Sequence, residues 1–387
     1  MSSVKLLYAT GRYNPLKHDE GSGEDFNLHN AFQRENFDIR IVGPLPDQAD
    51  MVERVYRKAH AFVSKKRHAK YSCALLRSAA SEVAAIGREF QPDLLFSHNL
   101  SWFVRLKTSV PIVYLTDATL IGTEMQWPQF SRVEYLRMLA WEKNVLTKCT
   151  RVITRSQWAI DMLVNQYGVP REKIVLVQAA SSLPERIVPG TIDPGTPDLN
   201  SVKLLLVGRV YKLKGIDIAI DAVNQLNQQG IPAELRIVGL TGKDSEHVRF
   251  MGSFRKAVEN ELLAYVSQYS WAHFLIHPAR YDSAPIVTAE AAGFGVPTLT
   301  NAAGGLATTV QDGISGVVLP HLSPAEEYVR VIRRFRENPQ QYTALRVSTR
   351  ERYEHELNWN AVGHRVSEII REVVEADQTN KNRSGQL

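Results

Sequence analysis

The stretch Val202-Lys-Leu-Leu-Leu-Val-Gly-Arg-Val-Tyr-Lys-Leu-Lys-Gly215, read with Ile216–Gln228 behind it, decides the fold. Val202–Val207 is an apolar run of strand length. Gly208 follows and lets the chain turn sharply away. Ile216–Gln228 carries apolar residues at helical spacing, with Ile216, Ile220, Val223 and Leu226 on one face. Downstream the alternation repeats. Glu234–Val238 reads as a strand ending at Gly239, Trp271–Ile276 as another, Ile286–Ala292 as the opening of a helix and Val317–Leu319 as a late strand. Helical patterns follow at Pro324–Arg336, Gln340–Tyr353 and Trp359–Glu375, and the polar run Asp377–Leu387 reads as a disordered tail.

Upstream, residues 181–200 contain Pro184, Pro189, Pro194 and Pro197 with Gly190 and Gly195. Such a stretch holds neither a helix nor a central strand, so it reads as an interdomain linker. Before it, strands are expected at Val4–Thr10, Asp38–Val42, Leu94–Ser97, Ile112–Leu115 and Arg151–Thr154, and helices at Phe26–Gln33, Met51–Ser64 and Cys73–Arg88. Strands alternating with helices predict parallel sheets covered on both faces. The expected fold is α/β: two doubly wound Rossmann-like domains, 1–180 and 201–352, then a helix over 353–376 and a tail over 377–387. Ligands of such sheets bind beyond the carboxyl ends of the strands, and with two domains the expected site is the cleft between them.

Bulk composition agrees with this size. The 387 residues suit two domains, and 44% hydrophobic with 22% charged residues is ordinary for a globular protein. A net charge of +5 permits anionic partners without demanding one. Cys73 and Cys149 are too few for a disulfide framework or a zinc cluster and read as two small buried thiols in a reducing compartment. No signal-peptide core and no spanning run is visible, so a cytoplasmic protein is expected.

Three constellations carry chemistry. In Gly208–Gly215, Arg209, Lys212 and Lys214 lie where a helix N-terminus also points its amides. Charge-assisted bonds there suit a diphosphate, and a solvated basic loop is the competing reading. The Gly-Lys-Ser/Thr ending of a Walker loop is absent. The second is His277-Pro-Ala-Arg-Tyr-Asp-Ser-Ala-Pro-Ile-Val-Thr-Ala-Glu-Ala-Ala-Gly-Phe-Gly-Val-Pro297. Pro285 fits the first helical turn, Asp282 or Ser283 the N-cap, and Glu290 a place about two turns into the helix. Two carboxylates facing a cleft would accept from sugar or ribose hydroxyls; a simple cap and a surface glutamate fit the same letters. The third, Gly21-Ser-Gly-Glu-Asp25, reads as an ordinary turn or as a phosphate approach.

Taken together, the second domain resembles the retaining family 4 glycosyltransferases of the GT-B fold. The matching residues are Gly208-Arg209 with Lys214-Gly215, Asp282 through Glu290, Gly295-Val-Pro297, Asn301–Gly305 and Gln311–Gly316. In the first domain the resemblance is looser and rests on Gly21–Asp25, Asp93–His98, Ile153–Ser156 and Tyr167-Gly168. The resemblance implies a donor-binding set. Arg209 and Lys214 would grip the donor diphosphate, Glu290 the ribose hydroxyls and Asp282 the donor sugar. Ser283 to Val287, Ile286 included, would bring backbone amides near the sugar, with Gly208 at the turn. Gly21 and Gly23 would close on the diphosphate from the other domain, and the last helix would cross back to the first domain.

Three departures stand out. Asp282 replaces the usual Glu eight residues before Glu290. Ala284-Pro285 replaces a Phe-Gly pair and removes one N–H. Thr116-Asp117 occupies what resembles the family's His-Asp position, so the active-site histidine is missing there.

By resemblance, the sugar keeps its anomeric configuration and the donor phosphate takes the acceptor's proton. The co-substrate is a UDP- or GDP-linked sugar, with no other cofactor and no metal. A saccharide or glycolipid acceptor is expected on the first domain, at residues such as His98, Asn99, Trp102, Asp117, Thr119 and Trp127. Arg54–Arg77 holds eight Lys/Arg and no acidic residue. That composition suits peripheral contact with an anionic membrane or a solvated helix face, and no nucleic-acid motif accompanies it. Alternatives are another GT-B enzyme, an epimerase or phosphorylase-like protein, and a non-catalytic nucleotide-sugar binder.

Overall fold

A computed structural model describes residues 3–11, 13–18, 20, 23–45, 55, 72–126, 128–193, 195 and 198–384. Two compact units emerge: Met1–Val177 with Gly363–Leu387, and Gln178–Val362.

The first unit carries strands β1 (Lys5–Ala9), β2 (Asp38–Val42), β3 (Leu94–Ser97), β4 (Ile112–Thr116), β5 (Arg151–Thr154) and β6 (Ile174–Leu176). They form one parallel sheet in the order β2-β1-β3-β4-β5-β6. Its described helices are α1 (Glu24–Arg34), α2 (Cys73–Phe90), α3 (Leu120–Gln126), α4 (Arg132–Lys148) and α5 (Gln157–Tyr167). β3 and β4 are buried along their whole length, as strands covered on both faces must be. The order reverses direction beside β1: the chain steps from β1 to β2 on one side, then returns to β3 on the other.

The second unit repeats the plan. β7 (Val202–Val207), α6 (Ile216–Gln228), β8 (Ala233–Val238), β9 (Val248–Gly252), α7 (Glu259–Trp271), β10 (Phe274–His277), α8 (Ile286–Gly293), β11 (Thr298–Asn301), α9 (Leu306–Thr309) and β12 (Gly316–Leu319) follow in order. The sheet order is β12-β11-β10-β7-β8-β9, all parallel, so the reversal falls between β7 and β10. On α6 the buried face is Ile216, Ala219, Ala222, Val223 and Leu226, with Ile220 half-buried at its rim. It packs on Leu204, Leu206, Leu235 and Ile237. At about 25 cal/mol per Å² of apolar surface removed from water, such faces supply the main stabilising term.

The last helices are α10 (Ala325–Glu337), α11 (Pro339–Arg352) and α12 (Trp359–Ser384). A π-turn over Tyr353–Leu357 joins α11 to α12. From Gly363 onward α12 belongs with the first unit. A Cβ on Gly363 would strike Ala31 of α1, and Arg371 pairs with Glu35 at 2.9 Å.

Four expectations need correction. The tail does not lose structure at Asp377: α12 runs to Ser384, helped by the i,i+4 pair Asp377–Lys381 at 2.6 Å. Residues 181–200 are not a bare linker, because Leu183, Ile187 and Val188 pack into the second unit's core. Proline denied them a ladder but not burial. Cys73 is exposed at the first position of α2, and only Cys149 is buried. Trp271 ends a helix, and the strand starts at Phe274. The expected helix Met51–Ser64 lies outside the described residues, save Val55.

Candidate functional site

In a doubly wound sheet the crevice opens where strand order reverses, at the carboxyl ends. In the second unit that place lies between the loop after β7 and the loop after β10. Two glycines shape the loop after β7, and at Gly215 nothing larger fits. Gly215 has φ +66°, and a Cβ on it would occupy the position of the Pro278 carbonyl. Gly208 lies flat against the Lys214 stem, whose Cγ would be 2.8 Å from any Cβ there. These two contacts aim Lys214 into the crevice.

Lys214 meets Asp282 there. The ammonium donates to Oδ2 of Asp282, and the buried His277 ring approaches the same oxygen through Nε2 at 3.0 Å. Oδ1 of Asp282 has no hydrogen-bond partner among the described residues. Burial pushes the Asp282 carboxyl up, but the His277 bond and the Lys214 charge outweigh it and hold it below its ordinary value. Burial keeps His277 below its ordinary value, against the pull of Asp282, and its buried Nδ1 has no hydrogen-bond partner among the described residues. Arg209 is exposed and has no hydrogen-bond or ion-pair partner among the described residues. Lys212, by contrast, is taken: it pairs with Asp217 at 2.8 Å, and Asp217 also accepts from both terminal guanidinium nitrogens of Arg280.

The helix after β10 differs from its expected cap. α8 starts at Ile286 with Pro285 at the N-cap and no side-chain cap bond. Asp282 and Ser283 lie before the cap, because the Asp282 carboxylate is committed to Lys214 and His277. Ser283, Ile286 and Val287 are half-buried at this helix start, where the first amides have no intrahelical acceptor. Glu290 is the fifth residue of α8, just over one turn in, and is buried instead of lying on the surface. It accepts from Ser182 Oγ (2.5 Å), Lys256 Nζ (2.5 Å), Tyr265 OH (2.5 Å) and Tyr269 OH (2.7 Å). Burial would raise its carboxyl; the Lys256 charge and these bonds bring it below its ordinary value instead. Both tyrosines are pushed well up, first by burial and then by Glu290, so both stay hydroxyl donors.

The reversal in the first unit holds a cavity of about 420 Å³. Its lining includes Glu20, Glu24, Asp25, His98, Asn99 and Asp117. Tyr8 OH donates to Asp25 at 2.6 Å, and Asp25 stands 3.3 Å from His98 Nε2. Burial would lower His98, but the Asp25 bond and the surrounding carboxylates raise it above its ordinary value. Buried Arg155 pairs with Glu24 and stands 3.8 Å from Asp117.

His98 and Asp117 thus share one cavity. Trp102 and Thr119 do not line it: Trp102 is fully buried and donates Nε1–H to Thr10 O at 2.5 Å, and buried Thr119 accepts from Gly122 N. Gly23 caps α1 with φ +75°. Gly21, Trp127 and most of Arg54–Arg77 lie outside the described residues. Sequence reasoning missed Ser182, Lys256, Tyr265, Tyr269 and His277 as partners. Ser182, Lys256 and the two tyrosines of α7 lie outside the segment of Glu290, and only the fold brings them to it; His277 stands in the quoted stretch, five residues before Asp282. Among the described residues no cluster of His, Cys, Asp or Glu is arranged to hold a metal, and no described helix is long and apolar enough to cross a membrane.

Two doubly wound parallel sheets, each with polar side chains gathered at its reversal, define an α/β protein of the ligand-binding kind. Comparison with known proteins makes this specific. The family profile described as glycosyltransferase family 4 matches residues 26–179, and glycosyl transferases group 1 matches residues 193–352. The chain belongs to the family 4 glycosyltransferases. It is 27% identical to D-inositol 3-phosphate glycosyltransferase 1 of Catenulispora acidiphila, over 61% of this chain and 60% of that one. The chain spans about 60% of the length of the curated relatives it matches. Among solved structures, sucrose-phosphate synthase from Thermosynechococcus elongatus aligns with TM-score 0.68 at 17% identity, covering 96% of this chain and 100% of that one. The Anabaena protein HepE, solved with UDP and glucose, aligns with TM-score 0.62 at 16% identity, covering 95% and 100%. Both have the GT-B glycosyltransferase fold found here.

Proposed function

We propose that this chain moves a sugar from a UDP- or GDP-linked donor to a saccharide or glycolipid acceptor, with retention of anomeric configuration, in glycan or cell-envelope polysaccharide assembly. The observation that carries this reading is the division of labour on Asp282. One carboxylate oxygen is anchored by Lys214 and His277, and the other is open to accept a hydroxyl of the donor sugar. In the loop after β7, Arg209, which has no hydrogen-bond or ion-pair partner among the described residues, and Lys214 supply positive charge for a departing diphosphate. That charge grows as the glycosidic bond breaks, so positioned cations stabilise the transition state more than the ground state. HepE, a protein of the same fold, was solved with UDP and glucose, which favours a uridine donor among those to test first.

In this reading Glu290 holds ribose hydroxyls, and His98 and Asp117 face the acceptor. The nucleotide sugar is the co-substrate beside the acceptor, with no further cofactor and no metal. The protein is cytoplasmic, with Arg54–Arg77 resting on the inner face of the membrane. A thermal-shift screen against UDP, GDP and their sugar conjugates tests the core of this, because a bound ligand raises apparent stability by mass action. A shift with one nucleotide and its conjugates supports the reading. No shift with any of them refutes it.

A further inference from the structure

Glu290 is 1% exposed, and four donors converge on its carboxylate. An ionised carboxylate offers about four lone-pair sites, so the set is full. A ribose can reach it only by taking a resident donor's place. Three of the four are poorly placed to leave. Tyr265 and Tyr269 are 4% and 0% exposed, and Tyr269 stacks on Phe294 with ring centroids 5.7 Å apart. Ser182 is half-buried and follows Ser181, whose amide is bonded to Leu357 O at 2.8 Å.

Lys256 is different. Its side chain is 38% exposed, and it stands in the segment between β9 and α7. That segment is pinned by Arg255, whose N and Nε both donate to Glu261 at 2.7 Å. The lysine side chain can therefore swing away while its backbone stays. An ammonium with one side in water recovers its hydration on leaving, so this exchange costs little beside moving a buried phenol.

We propose that Lys256 is the resident counter-ion of the nucleotide site: it fills Glu290 while the site is empty and yields its place to the vicinal hydroxyls of a ribonucleoside diphosphate. The proposal rests on Glu290 being the ribose-holding carboxylate. It makes Lys256 a specificity-determining residue. A ribose diol supplies two O–H donors for the ammonium it displaces, whereas a 2′-deoxyribose supplies one and leaves the buried carboxylate short.

Calorimetric titration at pH 8 with UDP, GDP and their 2′-deoxy counterparts tests this on wild type, Lys256→Met, Glu290→Gln and the double variant. Methionine keeps an unbranched stem over the Tyr265 ring, which the ammonium now faces at 4.6 Å. Lys256→Met is expected to bind the preferred ribonucleotide roughly three- to tenfold more tightly, the scale of a partly exposed ion pair no longer to be broken. The gain is expected to vanish in the Glu290→Gln background, and wild type is expected to prefer the ribose over the deoxyribose form. Equal or weaker ribonucleotide binding by a folded Lys256→Met overturns the proposal. Should that variant not fold, Lys256→Gln must show the same direction. Unchanged binding in Glu290→Gln instead refutes the ribose role of Glu290, and the exchange falls with it. Binding of neither UDP nor GDP by wild type refutes the nucleotide reading itself.

Discussion

His277 stands 3.0 Å from Oδ2 of Asp282, the same oxygen that receives the Lys214 ammonium. One atom thus ties the loop after β7 to the loop after β10. Asp282→Asn keeps the shape and removes the charge. Transfer is expected to fall about 100-fold, the scale of one transition-state donor misplaced, with nucleoside diphosphate affinity changed far less. Steady-state kinetics beside calorimetry checks this. A loss of affinity as large as the loss of rate would move Asp282 to the nucleotide.

Arg209 has no hydrogen-bond or ion-pair partner among the described residues, so its charge is available to the ligand. Arg209→Ala is expected to lower the transfer rate about 10²–10³-fold and the diphosphate affinity by much less. The reverse split, with affinity lost and kcat kept, would make Arg209 a binding residue only.

Glu290→Ala strands Lys256, Ser182 and two buried phenols at once. Breaking a buried charged set from one side costs roughly 3–5 kcal/mol. Urea denaturation is expected to show that loss, and Glu290→Gln a smaller one because it still accepts. A Glu290→Ala protein as stable as wild type would mean that the cluster does not hold together in solution.

Glu142 offers a pH test in the first unit. Its carboxylate accepts from the Leu120 amide and from Tyr167, and so ties the start of α3. Burial pushes it up to about 7 from 4.5, against the pull of those bonds. A carboxyl raised in the folded state stabilises fully below its unfolded value and loses that contribution as pH rises through the folded one. Stability is therefore expected to decline between pH 4.5 and about 7, by roughly 3 kcal/mol at most. Glu142→Gln should flatten this part of the profile in denaturation measured from pH 4.5 to 8. An unchanged slope would remove Glu142 as its source.

Gly215→Ala puts a Cβ into the space of the Pro278 carbonyl at φ +66°. The expected cost is about 2–4 kcal/mol, with the crevice disturbed, since strain and clash add. Differential scanning calorimetry reads it directly, and a neutral substitution would mean that the loop after β10 can move aside.

Legibility followed burial geometry. β7, Gly208 and α6 were readable because an apolar run, a turn residue and a one-sided stripe stand in sequence. β9 and β6 were not, being an edge strand with mostly half-buried residues and a run of three. β11 was missed because it reads Thr-Leu-Thr-Asn, yet it is wholly buried, and Thr300 satisfies its hydroxyl on His277 O at 2.8 Å. Within the site, Lys214 and Asp282 were readable singly and are paired only by the fold, across 68 residues. Nothing in the letters around Ser182 or Lys256 points to Glu290, because neither shares a segment with it.

The first unit is discontinuous in sequence. It is left at Val177 and re-entered at Gly363, so its surface at Ala31 of α1 and at Glu35 and Phe37 just after it waits for Gly363, His364 and Arg371. On the ribosome, where domains ordinarily fold in order of synthesis, the N-terminal body comes out first and is completed last. The second unit is able to close around its own sheet while the first still lacks a covering helix. A premature stop just after Val362 would spare the second unit and leave the one made earliest without its covering helix.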